Sequence, residues 1–363
     1  MNKFEIYKNK VVLITGNSGF KGSWLSAWLL KLGAKIVGLS LDVPSQPSNF
    51  EAAALERKIS HVWGDVRNLA DCAKVINSYQ PDFVFHLAAQ PLVRCSYLEP
   101  HDTFMTNAGG TLNILEALRL SNHSCTAVFI TSDKSYDNVE QIWGYRENDR
   151  VGGKDPYSGS KGAAELIIRS YTNSFFSDNS RIRIGVARAG NVIGGGDWAD
   201  NRIIADAARA WSSGKILHIR NPRSTRPWQH VLEPLAGYLT LAADLLSSDI
   251  LMGEAFNFGP PADQIYTVSD LLQQMQVFWP GATWHDTSNS DDVYEAGLLK
   301  LCCDKAQWQL GWKPILTFEE VASLTANWYR AFYRGNVDIW TLTQDHIAQY
   351  EALGQDRGVI WAA

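Results

Sequence analysis

Apolar residues along this chain gather in short β-branched runs, separated by longer stretches with helical spacing. Residues 11–15 (VVLIT) are the first run. Its lack of polar alternation fits a strand covered on both faces. A glycine-rich turn follows. Then comes SWLSAWLLKL, whose apolar positions fall three and four apart, and Gly33 closes it as a C-cap. KIVGLSL (35–41), DFVFHLAA (82–89), TAVFIT (126–131) and RIGVAR (183–188) repeat the strand signal, and TLNILEALRL (111–120) the helical one. Strands of about six residues alternating with helices predict a parallel sheet covered on both faces.

The texture changes after about residue 190. Gly194, Gly195 and Gly196 read as a flexible loop, and Trp and Pro become frequent. Strand-like pieces shorten to ILHI (216–219) and AFNF (255–258), with helical patterns at 201–212, 235–246 and 267–278. The expectation is an α/β chain with a Rossmann-like doubly wound parallel sheet over 1–190, to which later segments are free to return. Residues 191–363 form mainly a smaller α/β substrate-binding lobe. The tail after Trp340 receives no role.

Composition narrows the function classes. The 363 residues, 45% hydrophobic and 20% charged, can bury a sizeable core. A net charge of −5 argues against general nucleic-acid binding. The five cysteines, Cys72, Cys95, Cys125, Cys302 and Cys303, contain no C-x-x-C, and the eight histidines show no ligand-like pairing. Neither a disulfide framework nor a metal site is indicated. The start, MNKFEIYKNK, lacks the apolar stretch of a signal peptide, and the run Trp24 to Leu30 is far below the roughly 18 residues that a membrane span needs. A cytoplasmic globular protein is expected, with no nucleic-acid or membrane partner.

The chemistry begins in the first turn. Thr15-Gly16-Asn17-Ser18-Gly19-Phe20-Lys21-Gly22 spaces its glycines as G-x-x-G-x-x-G between a strand and a helix. Glycines let the backbone turn tightly and approach a pyrophosphate, which rests on the helix N-terminal N–H groups. Asp42 ends the second strand region, where a carboxylate can bind both ribose hydroxyls and repel a 2′-phosphate. No Arg occurs between Gly22 and Arg57, which favours NAD over NADP. Leu87, Ala88 and Ala89 end the fourth strand with side chains small enough for backbone contact with a cofactor. His86 before them reads as a packed strand residue.

Tyr157-Ser-Gly-Ser-Lys161 opens a helical pattern, so both side chains share one face. An ammonium beside a phenol favours phenolate and lowers its pKa from about 10. Such a tyrosine can take a proton from a sugar hydroxyl as hydride leaves for NAD. Ser132 follows the strand TAVFIT and can hydrogen-bond the same hydroxyl. Asp133 and Lys134 come next. A simple alcohol dehydrogenase or 4-epimerase has no need of an acid–base pair here, whereas a 4,6-dehydratase does. It removes a proton from C5 and helps hydroxide leave C6. The rival readings are a nucleotide-sugar 4-epimerase and a dinucleotide-sensing scaffold.

The glycine spacing and the Ser132, Tyr157, Lys161 set resemble the extended short-chain dehydrogenase/reductases. TGNSGFKGSWL, LAAQPLVR, TSDKSY, YSGSK, ARAGNVIGGGDW, DNRIIAD, RPWQHVLEPLAGYL and LGWKP resemble the CDP-glucose 4,6-dehydratase family over roughly residues 8–335. That resemblance implies bound NAD, CDP-glucose as substrate, and a homodimer or homotetramer. It implies that Asp65 and Val66 meet the adenine and that Arg226 binds the pyrophosphate, with Asn191, Asn201 and Arg202 also on the nucleotide. Gln90 and Arg94 should lie near the sugar. Trp198 either packs on the sugar or fills a loop. Lys134 is either the base at C5 or an enolate stabiliser, with Asp133 handling protons.

Overall fold

The computed structural model describes residues 3–176, 181–261, 263–288 and 298–362. Seven parallel strands build the central sheet: β1 (Val11–Thr15), β2 (Lys35–Ser40), β3 (Ser60–Trp63), β4 (Phe83–His86), β5 (Cys125–Ile130), β6 (Ile182–Ala189) and β7 (Ala255–Phe258). Their spatial order is β7-β6-β5-β4-β1-β2-β3. The order reverses beside β1, and a doubly wound sheet binds ligands at that switch point. AFNF, read above as a piece of the smaller lobe, is β7. It pairs with β6 in parallel register, Phe256 opposite Ala187.

Alternation along β1 shows how the two faces fill. Val12 and Ile14 point into one core with helix α1 (Phe20–Lys31), while Leu13 points into the other. That second core is closed by α2 (Leu69–Tyr79) and α3 (Gly110–Leu120), which contribute Cys72, Val75, Ile76, Ile114, Leu115 and Leu118. Helix α4 (Pro156–Phe175) begins at the Asp155 cap, whose carboxylate accepts the Ser158 N–H. Pro156 in the first turn costs no hydrogen bond there.

Beyond residue 190 the chain adds three two-stranded ribbons: 192–193 with 229–230, 225–226 with 266–267, and 217–219 with 284–286. Helix α5 (Leu232–Leu245) returns to pack on β5 and β6. Gly194–Gly196 is a packed segment, not the flexible loop its glycines suggest. The Trp24 indole donates to the Gly195 carbonyl at 2.8 Å, and a Cβ on Gly195 would overlap the Trp328 ring.

Helices α6 (Phe318–Arg334) and α7 (Ile339–Asp356) complete the first core. The tail after Trp340 thus has a structural role. Tyr350 donates to buried Glu233 at 2.8 Å, the Gln344 amide donates to the Ala27 carbonyl, and the Trp28 indole donates to Glu351. Among the described residues no helix is long and apolar enough to cross a membrane.

Candidate active site

The parallel strands all release their ends toward one edge, so the glycine turn, the 87–90 segment and the 131–136 segment converge there. Gly16 sits at φ +72°, and a Cβ on it would lie 2.8 Å from the Ala88 nitrogen. Only glycine gives both that conformation and that approach. A Cβ on Gly22 would overlap the Gly16 carbonyl oxygen. Helix α1 starts at Gly19 with no side-chain cap, which leaves its first-turn amides to an external acceptor. These features fit a dinucleotide pyrophosphate. Phe20 and Lys21 lie in that first turn, and the Ser18 hydroxyl donates to the Asp42 carbonyl at 2.6 Å, holding Asp42 at the rim.

Thr15 ties β1 to β4. Its hydroxyl meets His86 Nδ1 at 2.7 Å and accepts the Ala88 N–H at 3.2 Å, while the Leu87 N–H reaches the Thr15 carbonyl. His86 is fully enclosed, and burial followed by the charge of Lys161 pushes its pKa down to about 3. Ala89 continues this strand end. Asp65 turns its carboxylate onto Arg67. Burial alone would raise the carboxyl, yet the Arg67 hydrogen bonds and charge hold it below its usual range. Val66 is buried against Gly110.

Tyr157, Lys161, Ser132 and Asp133 are all buried within one small space, and Lys134 is half-buried beside them. The Ser132 hydroxyl donates to Asp133 Oδ1 at 3.0 Å and accepts the Lys134 N–H. Asp133 Oδ2 is buried with no hydrogen-bond partner among the described residues. Burial pushes the Asp133 carboxyl up, against the pull of Lys134, the Ser132 hydroxyl and Lys21. The Tyr157 phenol departs from expectation. Burial raises it, opposed by the Ser132 hydrogen bond and the charge of Arg202, and Asp133 adds to the rise. Lys161 is not the cation acting on it. Its ammonium donates to the Ile130 carbonyl at 3.4 Å, and burial with neighbouring Lys21 lowers it to about 8.

Sequence reasoning missed part of this charge set. Lys21 was placed only by its backbone, but its ammonium lies in the field of Arg202, Asp133 and Asp197, and burial brings it down to about 8. Asp197 was not named at all. It is the one charged residue between three glycines and a tryptophan, which was the available signal. Burial raises its carboxyl, and the Arg202 charge opposes.

The presumed substrate residues divide. Arg94 donates to the Asn201 side chain at 3.0 Å, bridging the two halves of the chain across the site. Arg202 starts the helix Ile203–Ser212 and reaches Tyr157, Lys21 and Asp197 electrostatically. Gln90 spends its amide internally, on Thr103 and the Leu92 N–H. Asn191 accepts the Gln229 N–H on its backbone carbonyl. Trp198 fills a loop. At 2% exposure its ring is enclosed by Trp328, Tyr329 and Phe332, and its indole N–H donates to Tyr333, so it offers no face to a sugar. Arg226 lines a cleft with Pro227, Pro260, Gln264, Ile265 and Leu299. Gly190 joins that cleft to the acid: a Cβ there would stand 2.9 Å from Pro227 and 3.1 Å from Asp133 Oδ2.

A Tyr-x-x-x-Lys helix set against a glycine-turn parallel sheet defines the class, an extended short-chain dehydrogenase/reductase. The chain belongs to the GDP-mannose 4,6 dehydratase family, whose pattern residues 13–325 match. It is 43% identical over 349 residues to a CDP-glucose 4,6-dehydratase of Salmonella typhimurium, covering 95% of this chain and 97% of that one. Among solved structures, the epimerase Mth375 of Methanothermobacter thermautotrophicus superposes with a TM-score of 0.78 at 24% identity, over 92% of this chain and 97% of that one. A dTDP-glucose 4,6-dehydratase of Streptomyces venezuelae, solved with NAD bound, gives 0.73 at 20% identity, over 88% and 97%.

Proposed function

We infer that this protein is a CDP-glucose 4,6-dehydratase that uses NAD. It converts CDP-D-glucose to CDP-4-keto-6-deoxy-D-glucose and water. The observation that carries this reading is the buried Asp133, with an oxygen left unpaired beside Tyr157, on the same short turn as Lys134. The 43% identity to a CDP-glucose enzyme supports the choice of nucleotide.

When bound, NAD supplies the acceptor, and later the donor, of one hydride, taken from sugar C4 and returned at C6. Tyr157 takes the O4 proton, with Ser132 bonding the same oxygen and the charge of Arg202 offsetting the phenolate, and Lys161 is assigned to the cofactor. The 4-ketone acidifies the C5 hydrogen. Lys134, in its neutral form, removes that proton and Asp133 donates one to the C6 hydroxyl, so the C6–O bond breaks, water leaves and C5=C6 forms. Burial of Asp133 favours the protonated carboxyl that this step needs. As C6 takes the hydride, C5 takes a proton back from Lys134, exchangeable with solvent, and Asp133 regains the proton that Tyr157 gained. Arg202, Arg226, Asn191 and Asn201 are assigned to the nucleotide, and Gln90 and Arg94 to the wall around the sugar. Asp42 is assigned to the adenosine ribose.

The finer features are part of this proposal. Exposed Tyr97, Leu98, Phe104, Met105, Leu166 and Phe175 give the helices around α4 an uncovered apolar surface, which suits a homodimer or a dimer of dimers. The product feeds deoxy- and dideoxy-sugars of surface polysaccharide, lipopolysaccharide O-antigen among them, and the enzyme works in the cytoplasm.

The test is mass spectrometry of purified protein with CDP-, dTDP-, UDP- and GDP-glucose in deuterated water, without added reductant. Loss of one water with gain of one deuterium, for CDP-glucose only, is expected. Unchanged mass with an altered epimer would make the protein an epimerase, and no reaction with any of the four would favour the sensor.

A further inference from the structure

The acid–base turn has only three helical residues, Asp133–Ser135, followed by a loop. Such a turn does not fix its side chains to the tolerance that proton transfer requires, where about 1 Å of misplacement costs about a hundredfold. Something outside the turn has to hold it.

A buried polar network touches it at both ends. At its start, the Thr131 hydroxyl donates to Glu165 Oε1 at 2.5 Å. At its end, the Tyr136 hydroxyl accepts from Arg188 Nη1 at 2.8 Å and donates to Asn257 at 2.7 Å. Arg188 and Glu165 form a two-pronged pair, Nε to Oε1 at 2.7 Å and Nη2 to Oε2 at 2.8 Å, with side chains only 5% and 6% exposed. The same guanidinium lies over the Tyr136 ring at 4.8 Å and donates to the Glu147 carbonyl. Glu165 is one helical turn beyond Lys161 on α4, and Arg188 is two residues before Gly190, which backs Asp133.

A buried ion pair is a poor way to gain stability, since its desolvation cost roughly cancels its attraction, and an apolar pair would join β6 to α4 as well. What the ion pair adds is direction. The fork pairs Glu165 with a buried cation while Oε1 also holds the Thr131 hydroxyl. It also presents Nη1 to Tyr136.

We propose that the Arg188–Glu165 pair positions the elimination half of the reaction: it clamps the Asp133–Lys134 turn at Thr131 and Tyr136 against the helix that carries Tyr157 and Lys161. Arg188, Glu165 and Tyr136 are positioning residues and touch no reacting atom. The proposal rests on the dehydratase reading for its kinetic consequence but not for the clamp itself.

Two measurements on the full chain test it. Tyr136→Phe keeps the ring and removes the hydroxyl. In stopped-flow with CDP-glucose, its rate of cofactor reduction stays within about twofold of wild type, because Ser132 is still held from the other end through Thr131 and Glu165, while loss of water slows about tenfold and the reduced nicotinamide accumulates. Arg188→Lys, which cannot keep both prongs and the Tyr136 bond, does the same, and the double variant is no slower than the worse single one. Hydrogen–deuterium exchange without substrate is the second readout: amides of 131–136 exchange faster in Tyr136→Phe, and those of 157–165 do not. Equal slowing of both half-reactions, wild-type dehydration by Tyr136→Phe, or unchanged exchange at 131–136 would each overturn the clamp. If the wild type dehydrates no nucleotide sugar, the functional reading fails, and the exchange result still decides the clamp.

Discussion

The two sides of the site are built on different physics. On the cofactor side, glycines and strand ends do the shaping: Gly16 against Ala88, Gly22 against Gly16, Thr15 bridging β1 to β4. On the substrate side, residues 194–202 form loops whose course is set by aromatic side chains from far along the chain. Trp24 holds the Gly195 carbonyl, the Tyr329 hydroxyl binds the backbone of Asp197, and Trp328 packs against Trp198. The first side is set by backbone contacts between neighbouring strand ends and the second by the packing of aromatic side chains. Damage to each should therefore read out differently.

The largest effect lies where the two sides meet. Tyr157→Phe removes the proton acceptor at O4, and turnover should fall about 10²–10⁴-fold, measured as product formed, while calorimetry shows nucleotide-sugar binding retained. Lys134→Ala should behave differently. Oxidation at C4 proceeds and water loss stops, so reduced cofactor accumulates. Full dehydratase turnover in Lys134→Ala would remove that residue from the mechanism.

Two glycines separate the sides directly. Gly22→Ala forces a methyl onto the Gly16 carbonyl and should weaken NAD binding at least tenfold. Gly195→Ala forces a methyl into the Trp328 ring, at a cost of about 1–3 kcal/mol of stability. Its NAD affinity should stay near wild type while KM for the nucleotide sugar rises. Equal effects of both variants on NAD and sugar binding would show that the sides are not independent.

Acid should test the substrate side harder. His230 and His346 are buried and pushed by burial to about 3 and about 4, and His86 on the cofactor side to about 3. Each is neutral when folded and titrates near 6.5 when unfolded, so below 6.5 the unfolded chain binds more protons. Stability falls as pH drops from 6.5 toward the folded values, at about 1.4 kcal/mol per pH unit for each histidine. Glu233 works the other way, because burial raises it to about 7 and the folded state holds its proton between the ordinary carboxylate range and 7. Asp133 and Asp197, also raised by burial, act with Glu233, whereas Asp65, Asp82 and Glu320, held below their usual range by their partners, act with the three histidines and tip the balance toward loss of stability in acid. Denaturant midpoints should drop on acidification, and His230→Asn with His346→Asn should remove more of the slope than His86→Asn alone.

Legibility followed the same division. VVLIT is β1 to the residue, and Tyr157 and Lys161 lie on the expected helix, because runs and spacings carry local structure. Gly194–Gly196 read as flexible because the ring that fills their space is over 130 residues away. The tail read as featureless because its partners, Trp28, Ala27 and Glu233, are equally remote. AFNF is one of the later segments that return to the first sheet, and a short strand does not state in the sequence which strand it will pair with. Charge was the least legible property. The phenol of Tyr157 responds to burial and to Arg202 more than to the lysine four residues on, and no spacing rule announces Lys21 or Asp197 as neighbours.

The smallest expected effect tests the cofactor side at its rim. Asp42 is exposed, beyond the end of β2, and Ser18 holds it through its carbonyl. In the proposed binding mode its carboxylate would meet the ribose hydroxyls in partial solvent, where a hydrogen bond is worth about 1 kcal/mol and like-charge repulsion is screened. Asp42→Asn should therefore weaken NAD only a few-fold and narrow the preference for NAD over NADP by about tenfold, without touching stability or the sugar KM. Because Ser18 grips the backbone of Asp42 and not its carboxylate, the turn itself should not move. Crystallography of the variant showing a displaced 16–19 backbone would mean that the rim carboxylate also shapes the turn, and the cofactor side would then depend on a side chain as well as on its glycines.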